Sequence, residues 1–454
     1  MAWKHSLLQA RSYIAVILGF LLAFGVVVYV EMKMPPAPAE SAELTLSADF
    51  PTLPAPRALT FDEAVWARIA WQYFVNNTQS SGLANAIDNQ PYTTMWDTGS
   101  YLMATISAQR LGIITQDELN ARVNAVLTAL SSLPLADGQL PSLYYHTQRP
   151  IRLNSLGQNE SQSDWSAVDL SRLLMALDIV AWLYPEQTGA IARLIAPWQF
   201  DALFMQQEQR QPLNFRAAKK WLLVTQSNRD SYGYQLYAAH GLRRVSPLAG
   251  IVLGTQPPSA RTISIDGLRI PYDSQAKIGK VDHPVVTTMP YLLTGLEVGF
   301  NIRSAEISWR VMKVQESRYR SRGGDAYVNT DNEEQLPRFI DDAVISRFPA
   351  QIDKSRAEIK EAALQLSTKS AFGWYALFRT SWSDEMRQRA GVLFEPGRGW
   401  YDGIIAANGQ QSRVIGANTN ALILESLVYI AQGPLFCQNC ASAPAANLAD
   451  DQRP

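Results

Sequence analysis

An aromatic ring and a carboxyl group recur side by side along this chain, each time just before or within the first turns of an apolar run. Trp96-Asp97-Thr98-Gly99 leads into one such run, and Asp164-Trp165-Ser166 with Asp169 opens another. Tyr232-Gly233-Tyr234 starts a third, and Pro290-Tyr291 with Glu297 forms a fourth. Later come Phe394-Glu395-Pro396 and Trp400-Tyr401-Asp402-Gly403, then Asn418-Thr419-Asn420, which reads as the cap of the last apolar stretch. Each site has an ordinary explanation. Asp and Asn at helix starts satisfy free N–H groups, and Trp or Tyr there fills a core. Asp169 could pair with Arg172 three residues on, Glu297 could be an exposed helix carboxylate, and Asp402 before Gly403 suits a turn. Gathered at one opening, the same groups would do more. Flat rings stack on the apolar faces of sugars, and two carboxyl groups can act as acid and base, or acid and nucleophile, on a glycosidic bond.

The elements that would gather them are helices. Thr60-x-x-Glu63 is a capping box ahead of FDEAVWARIAWQYFVNN, and Thr115-x-x-Glu118 opens QDELNARVNAVLTAL. TGSYLMATISAQRL ends at Gly112, a good C-terminal residue. SAVDLSRLLMALDIVAWL is apolar enough to be buried on more than one side. Further helices are expected at YGYQLYAAHGL, MPYLLTGLEVGF, SAEISWRVMKVQESRYR, residues 353–367, FGWYALFRTSW and TNALILESLVYIA. Strand pairs are expected at TISIDGLRIPYD and at the stretch turning on Asn408-Gly409, with WLLVTQ a further strand. So many helices joined by short connections must bury both faces of some of them. A closed ring of helix pairs, its inner members buried, does this, and no repeat period favours a superhelical array.

Other chemistries find little here. No G-x-S-x-G elbow, H-E-x-x-H helix or phosphate-binding G-x-x-x-x-G-K-[ST] loop is present. The histidines, His5, His146, His240 and His283, lack ligand spacing, and the acidic loop GDAYVNTDNEEQ lacks calcium-loop spacing. Neither a metal nor a cofactor is expected. With 41 acidic and 40 basic residues, net charge −1, nothing points to nucleic acid.

The charge-free run Tyr13–Val30 would make a helix of about 27 Å, enough to cross a bilayer. Lys4 and Arg11 before it place the N-terminus in the cytoplasm and the rest of the chain outside. A cleaved secretory leader is the alternative, with Ala37-Pro38-Ala39 as its processing site, and it exports the chain equally. The expected organisation is a stub and membrane anchor over 1–33, a Pro/Ala-rich spacer over 34–58, a helical domain over 59–434 and a tail over 435–454. Cys437 and Cys440, in that tail, are expected to form a disulfide outside the cytoplasm.

TMWDTGSYL, DWSAVDLSRLLMAL, YGYQLYAAHGLRRVSPLA, MPYLLTGLEVGF and the stretch from GRGWYDG to NTNALILESLVYI together resemble the bacterial family of domain of unknown function 3131, from about Phe61 to Gly433. That family is in turn similar to glucoamylase-like proteins, bacterial glucanases among them. The resemblance implies an exported (α/α)6 toroid, mostly α-helical, tied to glycan or exopolysaccharide metabolism. Asp97, Asp169, Glu297 and Asp402 are the candidate catalytic carboxyls, with Glu395 in reserve. A helix start favours an ionised carboxylate, so Glu297, further along its helix, is the expected acid and Asp97 or Asp169 the base or nucleophile. Trp96, Trp165, Tyr232, Tyr234, Tyr291, Trp400 and Tyr401 are the candidate sugar-stacking rings. Two readings follow: a glycoside hydrolase or transglycosylase acting on a bacterial glucan or exopolysaccharide, and a non-catalytic glycan-binding or scaffold protein of envelope polysaccharide machinery.

Overall fold

In the computed structural model the described residues are 46–154, 157–159, 165–208, 219–223, 232–243, 245, 260–273, 277–278, 281–282, 286–321, 329–330, 364–405 and 408–436. The chain divides into two compact units, residues 1–44 with 207–220 and residues 45–206 with 221–454. Of the first unit, residues 207–208 and 219–220 are described, as extended backbone. The helices among the described residues all lie in the second unit.

Its helices are α1 (Phe61–Asn77), α2 (Met95–Arg110), α3 (Gln116–Ser132), α4 (Ala167–Leu183), α5 (Thr188–Ile195), α6 (Tyr232–Leu242), α7 (Met289–Leu293), α8 (Ile302–Ser321), α9 (Thr368–Phe378), α10 (Ser381–Ala390) and α11 (Ala417–Gln432). A π-helical turn over Thr294–Val298 prolongs α7. Six of these elements close a ring: α2 packs on α4, α4 on α6, α6 on α7, α7 on α9, α9 on α11, and α11 back on α2. Outside the ring, α1 leans on α11, α3 on α2, α5 on α4, α8 on α7 and α10 on α9. Between α6 and α7 no outer helix occurs among the described residues; the extended segment Leu268–Asp273 packs on α6 and α8 instead. This is the toroid expected of the sequence, with alternate helices inside.

Residues of similar rank along the inner helices touch, so these helices run the same way. Trp96 in α2 meets Asn418 in α11 and Tyr234 in α6. A Cβ added at Gly233 in α6 would lie 2.8 Å from Pro290 in α7, and Asp402, just before α11 in space, receives the backbone N–H of Thr368 on its carbonyl at the start of α9. The inner helices therefore all begin at one end of the ring. Close approach is built in: a Cβ at Gly99 would stand 2.9 Å from the backbone of Arg172, so only glycine lets α2 and α4 come this near.

Short strands join the helices. The β1 (Tyr92–Thr94), β2 (Tyr144–His146) and β3 (Arg152–Leu153) strands form one antiparallel sheet ahead of the ring's opening. A tight hairpin pairs β4 (Ala260–Ile265) with β5 (Leu268–Asp273), turning at Asp266 and Gly267, both with positive φ; two left-handed residues match the strand twist. Further on, β6 (Asn329–Thr330), β7 (Leu364–Ser367) and β10 (Gly403–Ile405) form a sheet, and β8 (Phe394–Glu395) pairs with β9 (Gly399–Trp400).

The helix starts follow the local signals. Thr60 and Glu63 form the complete capping box, and Thr115 accepts from the Glu118 N–H. Three expectations change. Asn418, Thr419 and Asn420 lie inside α11, whose N-cap is Gly416; instead of capping its free N–H groups, their side-chain oxygens bond to the Trp96 indole, the Asp402 carboxylate and the Trp400 N–H. Residues 364–367, expected to end a helix, form β7 by pairing with β10. And part of the expected spacer is docked. Phe50 packs edge-on against Trp309 and Phe378, each at 6.1 Å, and the Arg57 N–H donates to the Ile430 carbonyl at 2.8 Å, because an apolar Phe and a free backbone donor gain by covering the body. The run Tyr13–Val30, the cysteines, Asp164 and most of the acidic loop lie outside the described residues; among those described, no helix is long and apolar enough to cross a membrane.

Candidate functional site

At the ring's opening, Thr94 caps α2 and its hydroxyl serves Asp97 twice, accepting from the Asp97 N–H at 3.0 Å and donating to its carboxylate at 2.7 Å. Asp97 is half-buried, whereas its neighbour Trp96 is buried. The Trp96 indole N–H donates to Asn418 Oδ1 at 3.3 Å. One residue on, Thr419 donates to Asp402 Oδ1 at 2.6 Å, and Asp402 is fully buried. Asp97 and Asp402 also act on a common neighbour. Burial raises the Tyr73 phenol well above its ordinary pKa, and the charges of Asp97, Asp88 and Asp402 push it further. The starts of α2 and α11 thus bring Trp96, Asp97, Asn418, Thr419 and Asp402 together. Asp169 sits at the start of α4, buried, with its N–H on the cap hydroxyl of Ser166 at 3.2 Å.

Glu297 does not stand at the opening. It is sealed from solvent about two turns below the helix starts, and its carboxylate receives the Arg172 guanidinium at 2.5 Å and the Tyr237 hydroxyl at 2.7 Å. The expectation of an exposed or substrate-facing Glu297 is corrected by this ion pair. Arg172, in turn, passes over Asp169 on its own helix and reaches across the ring. It donates to Ser100 at 2.9 Å, to Tyr237 at 3.0 Å and to Glu425 at 2.9 Å, and lies 4.8 Å from the centre of the Trp96 ring. Burial alone would lower the Arg172 pKa; the charges of Glu297 and Glu425 outweigh it and hold the group well above its ordinary value. Burial also raises Tyr237, helped by the Glu297 charge. Sequence reasoning gave Arg172 only a local partner and missed Tyr237 and Glu425. The signal was there: the single charge in LILESLVYI, like the single cation in DLSRLLMAL, has to find a counter-charge inside.

The rings divide. Trp400 is core, edge-on to Phe394 at 4.9 Å and Phe372 at 5.0 Å, its indole N–H spent on the Trp66 carbonyl. It does not meet the expectation of a sugar-stacking face. Tyr234 and Tyr291 are buried around the start of α6, and Tyr234 meets Trp96 edge-on at 5.8 Å. Tyr401 is half-buried and its hydroxyl donates to Glu395 at 2.9 Å; Glu395, nearly half exposed, also pairs with Arg398. Trp165 is half-buried ahead of α4, its indole N–H enclosed without an acceptor. The Tyr232 side chain lies outside the described residues. Among the described residues, no group of three or more His, Cys, Asp or Glu is arranged to hold a metal ion.

Solved structures share this ring. An endo-β-1,2-glucanase from Chitinophaga pinensis, in complex with sophorotriose and glucose, matches with a TM-score of 0.56 at 12% identity over 84% of this chain and 94% of its own. A β-1,2-glucanase from Parabacteroides distasonis matches with a TM-score of 0.58 at 12% identity, over 84% and 58%. A candidate glucoamylase from Bacteroides fragilis matches at 0.56 and 12%, over 84% and 94%. At such identities the likeness establishes the fold. No curated protein sequence matches the chain. The profile of the family described as protein of unknown function (DUF3131) matches residues 65–433, and this chain belongs to that family.

Proposed function

We propose that the chain is a membrane-tethered, extracytoplasmic glycoside hydrolase or transglycosylase acting on a bacterial glucan. The observation that carries this is the common direction of the inner helices, which brings the half-exposed Asp97 and the buried Trp96 and Asp402 to one end of the ring. The fold is shared with β-1,2-glucanases, one of them in complex with sophorotriose, which makes β-1,2-linked glucans the first substrates to try. The anchor rests on the charge-free run Tyr13–Val30 and the basic residues before it.

Asp97, the half-exposed acid of the group, serves as base or nucleophile, and Asp402 as the acid. Asp169 is kept as an alternative partner. Glu297 is assigned no chemical step. Both Glu297 oxygens are spent, one on the Arg172 guanidinium and one on the Tyr237 hydroxyl, which ties the group to the fold. The enclosed indole N–H of Trp165 suits a sugar hydroxyl.

One observation favours a second reading, a glycan-binding or scaffold protein. Asp97 and Asp402 each take a threonine hydroxyl, as structural caps do. The experiment is release of reducing sugar from β-1,2-glucan and other bacterial glucans. Hydrolysis predicts release that falls at least about 100-fold in Asp97→Asn and in Asp402→Asn. Glycan affinity without release from any polymer would leave the binding reading.

A further inference from the structure

The cluster beneath the opening holds one cation and two carboxyl groups, all with fully enclosed side chains. Arg172 balances one negative charge. Two ionised carboxylates here would leave an uncompensated charge in a medium where that is very costly. Glu297 spends its oxygens on Arg172 and Tyr237, and Glu425 Oε1 on Arg172. Glu425 Oε2 is enclosed with no donor directed at it, which is where a carboxylic O–H can sit.

We infer that Glu425 carries a proton at neutral pH and donates it to Glu297, so that the centre of the ring is a one-proton lock joining α2, α4, α6, α7 and α11. Deprotonation would release that proton to solvent and leave two anions in contact. Burial, then the Glu297 charge and the hydrogen bond between the two acids, keeps the Glu425 carboxyl protonated well above the usual carboxylate range, against the pull of Arg172. The groups facing it are Arg172 from α4, Tyr237 from α6 and Glu297 after α7; α2 contributes the neutral Ser100 and Trp96. On the remaining neighbours of α11, Lys369 stands in the first turn of α9, about 10 Å nearer the opening, and Glu63 is paired with Arg57.

A carboxyl with a raised folded pKa stabilises the fold fully below its unfolded pKa, and that contribution is lost as pH rises towards the folded value. The test compares the full-length protein with Glu425→Gln, a neutral mimic of the protonated acid, in denaturant unfolding across pH. The folding equilibrium constant of the wild type should fall about tenfold per pH unit relative to the variant above the ordinary carboxylate range. The infrared difference spectrum between the two at neutral pH should contain the carbonyl stretch of an un-ionised carboxylic acid. Glu297→Gln removes the like charge, so Glu425 then ionises opposite Arg172, and both signatures should vanish. Parallel stability curves for wild type and Glu425→Gln, or a neutral-pH spectrum without the acid band, would overturn the inference. Neither readout needs a glycan, so failure of the hydrolase reading leaves it intact.

Discussion

Replacing Arg172 with Met tests whether the ring is held closed from its centre. The guanidinium makes four hydrogen-bonded contacts, to Ser100, Tyr237, Glu297 and Glu425, and lies against Trp96. Methionine fills much of the stem volume but leaves the Glu297 carboxylate buried without a counter-charge. Removing one partner of a buried ion pair costs about 3–5 kcal/mol, a large part of a total stability of about 5–15 kcal/mol. In urea the unfolding midpoint should fall by about 1 M, taking a slope of about 3 kcal/mol per M or more for a body of this size. The deficit should also depend on pH in a definite direction. An un-ionised carboxyl needs no counter-charge, so the gap to wild type should widen from acid to neutral pH. Replacing the whole set, Arg172→Met with Glu297→Gln and Glu425→Leu, should recover most of the loss, since enclosed ion clusters can be exchanged for neutral packing at little cost. A single Arg172→Met variant within about 0.5 kcal/mol of wild type at neutral pH would refute the reasoning.

Gly99→Ala should destabilise by about 1–3 kcal/mol in the same assay, because its new methyl meets the Arg172 backbone at 2.9 Å and must push α2 off α4. Glu63→Gln should destabilise at neutral pH and lose its effect in acid. Burial raises the Glu63 carboxyl, but its hydrogen bonds with Arg57 and the Thr60 N–H and the Arg57 charge lower it overall, so its stabilisation is present above the ordinary carboxylate pKa and fades as pH falls through the folded value. A pH-independent deficit in Glu63→Gln would show that the capping geometry, not the charge, is what matters.

What the sequence determined by itself is what short-range bonding decides. The Thr60 and Thr115 starts, the Gly112 end and the turn at Asp266-Gly267 are local, because their hydrogen bonds and φ values involve residues a few positions apart. The abundance of apolar helices joined by short connections likewise implied a closed ring. Partnership across the ring was not readable. A lone arginine in an apolar helix announces that it is buried with a counter-charge, but three spacings were open to it. Asp169 was the near one, and the fold chose Glu297, 125 residues away, and Glu425, 253 residues away. The same holds for Trp400, whose ring was equally suited to a sugar or a core until Phe372, Phe394 and Trp66 closed around it. Local chemistry sets where a helix begins; only the packing of helices distant in sequence sets which charges and rings are left facing the opening.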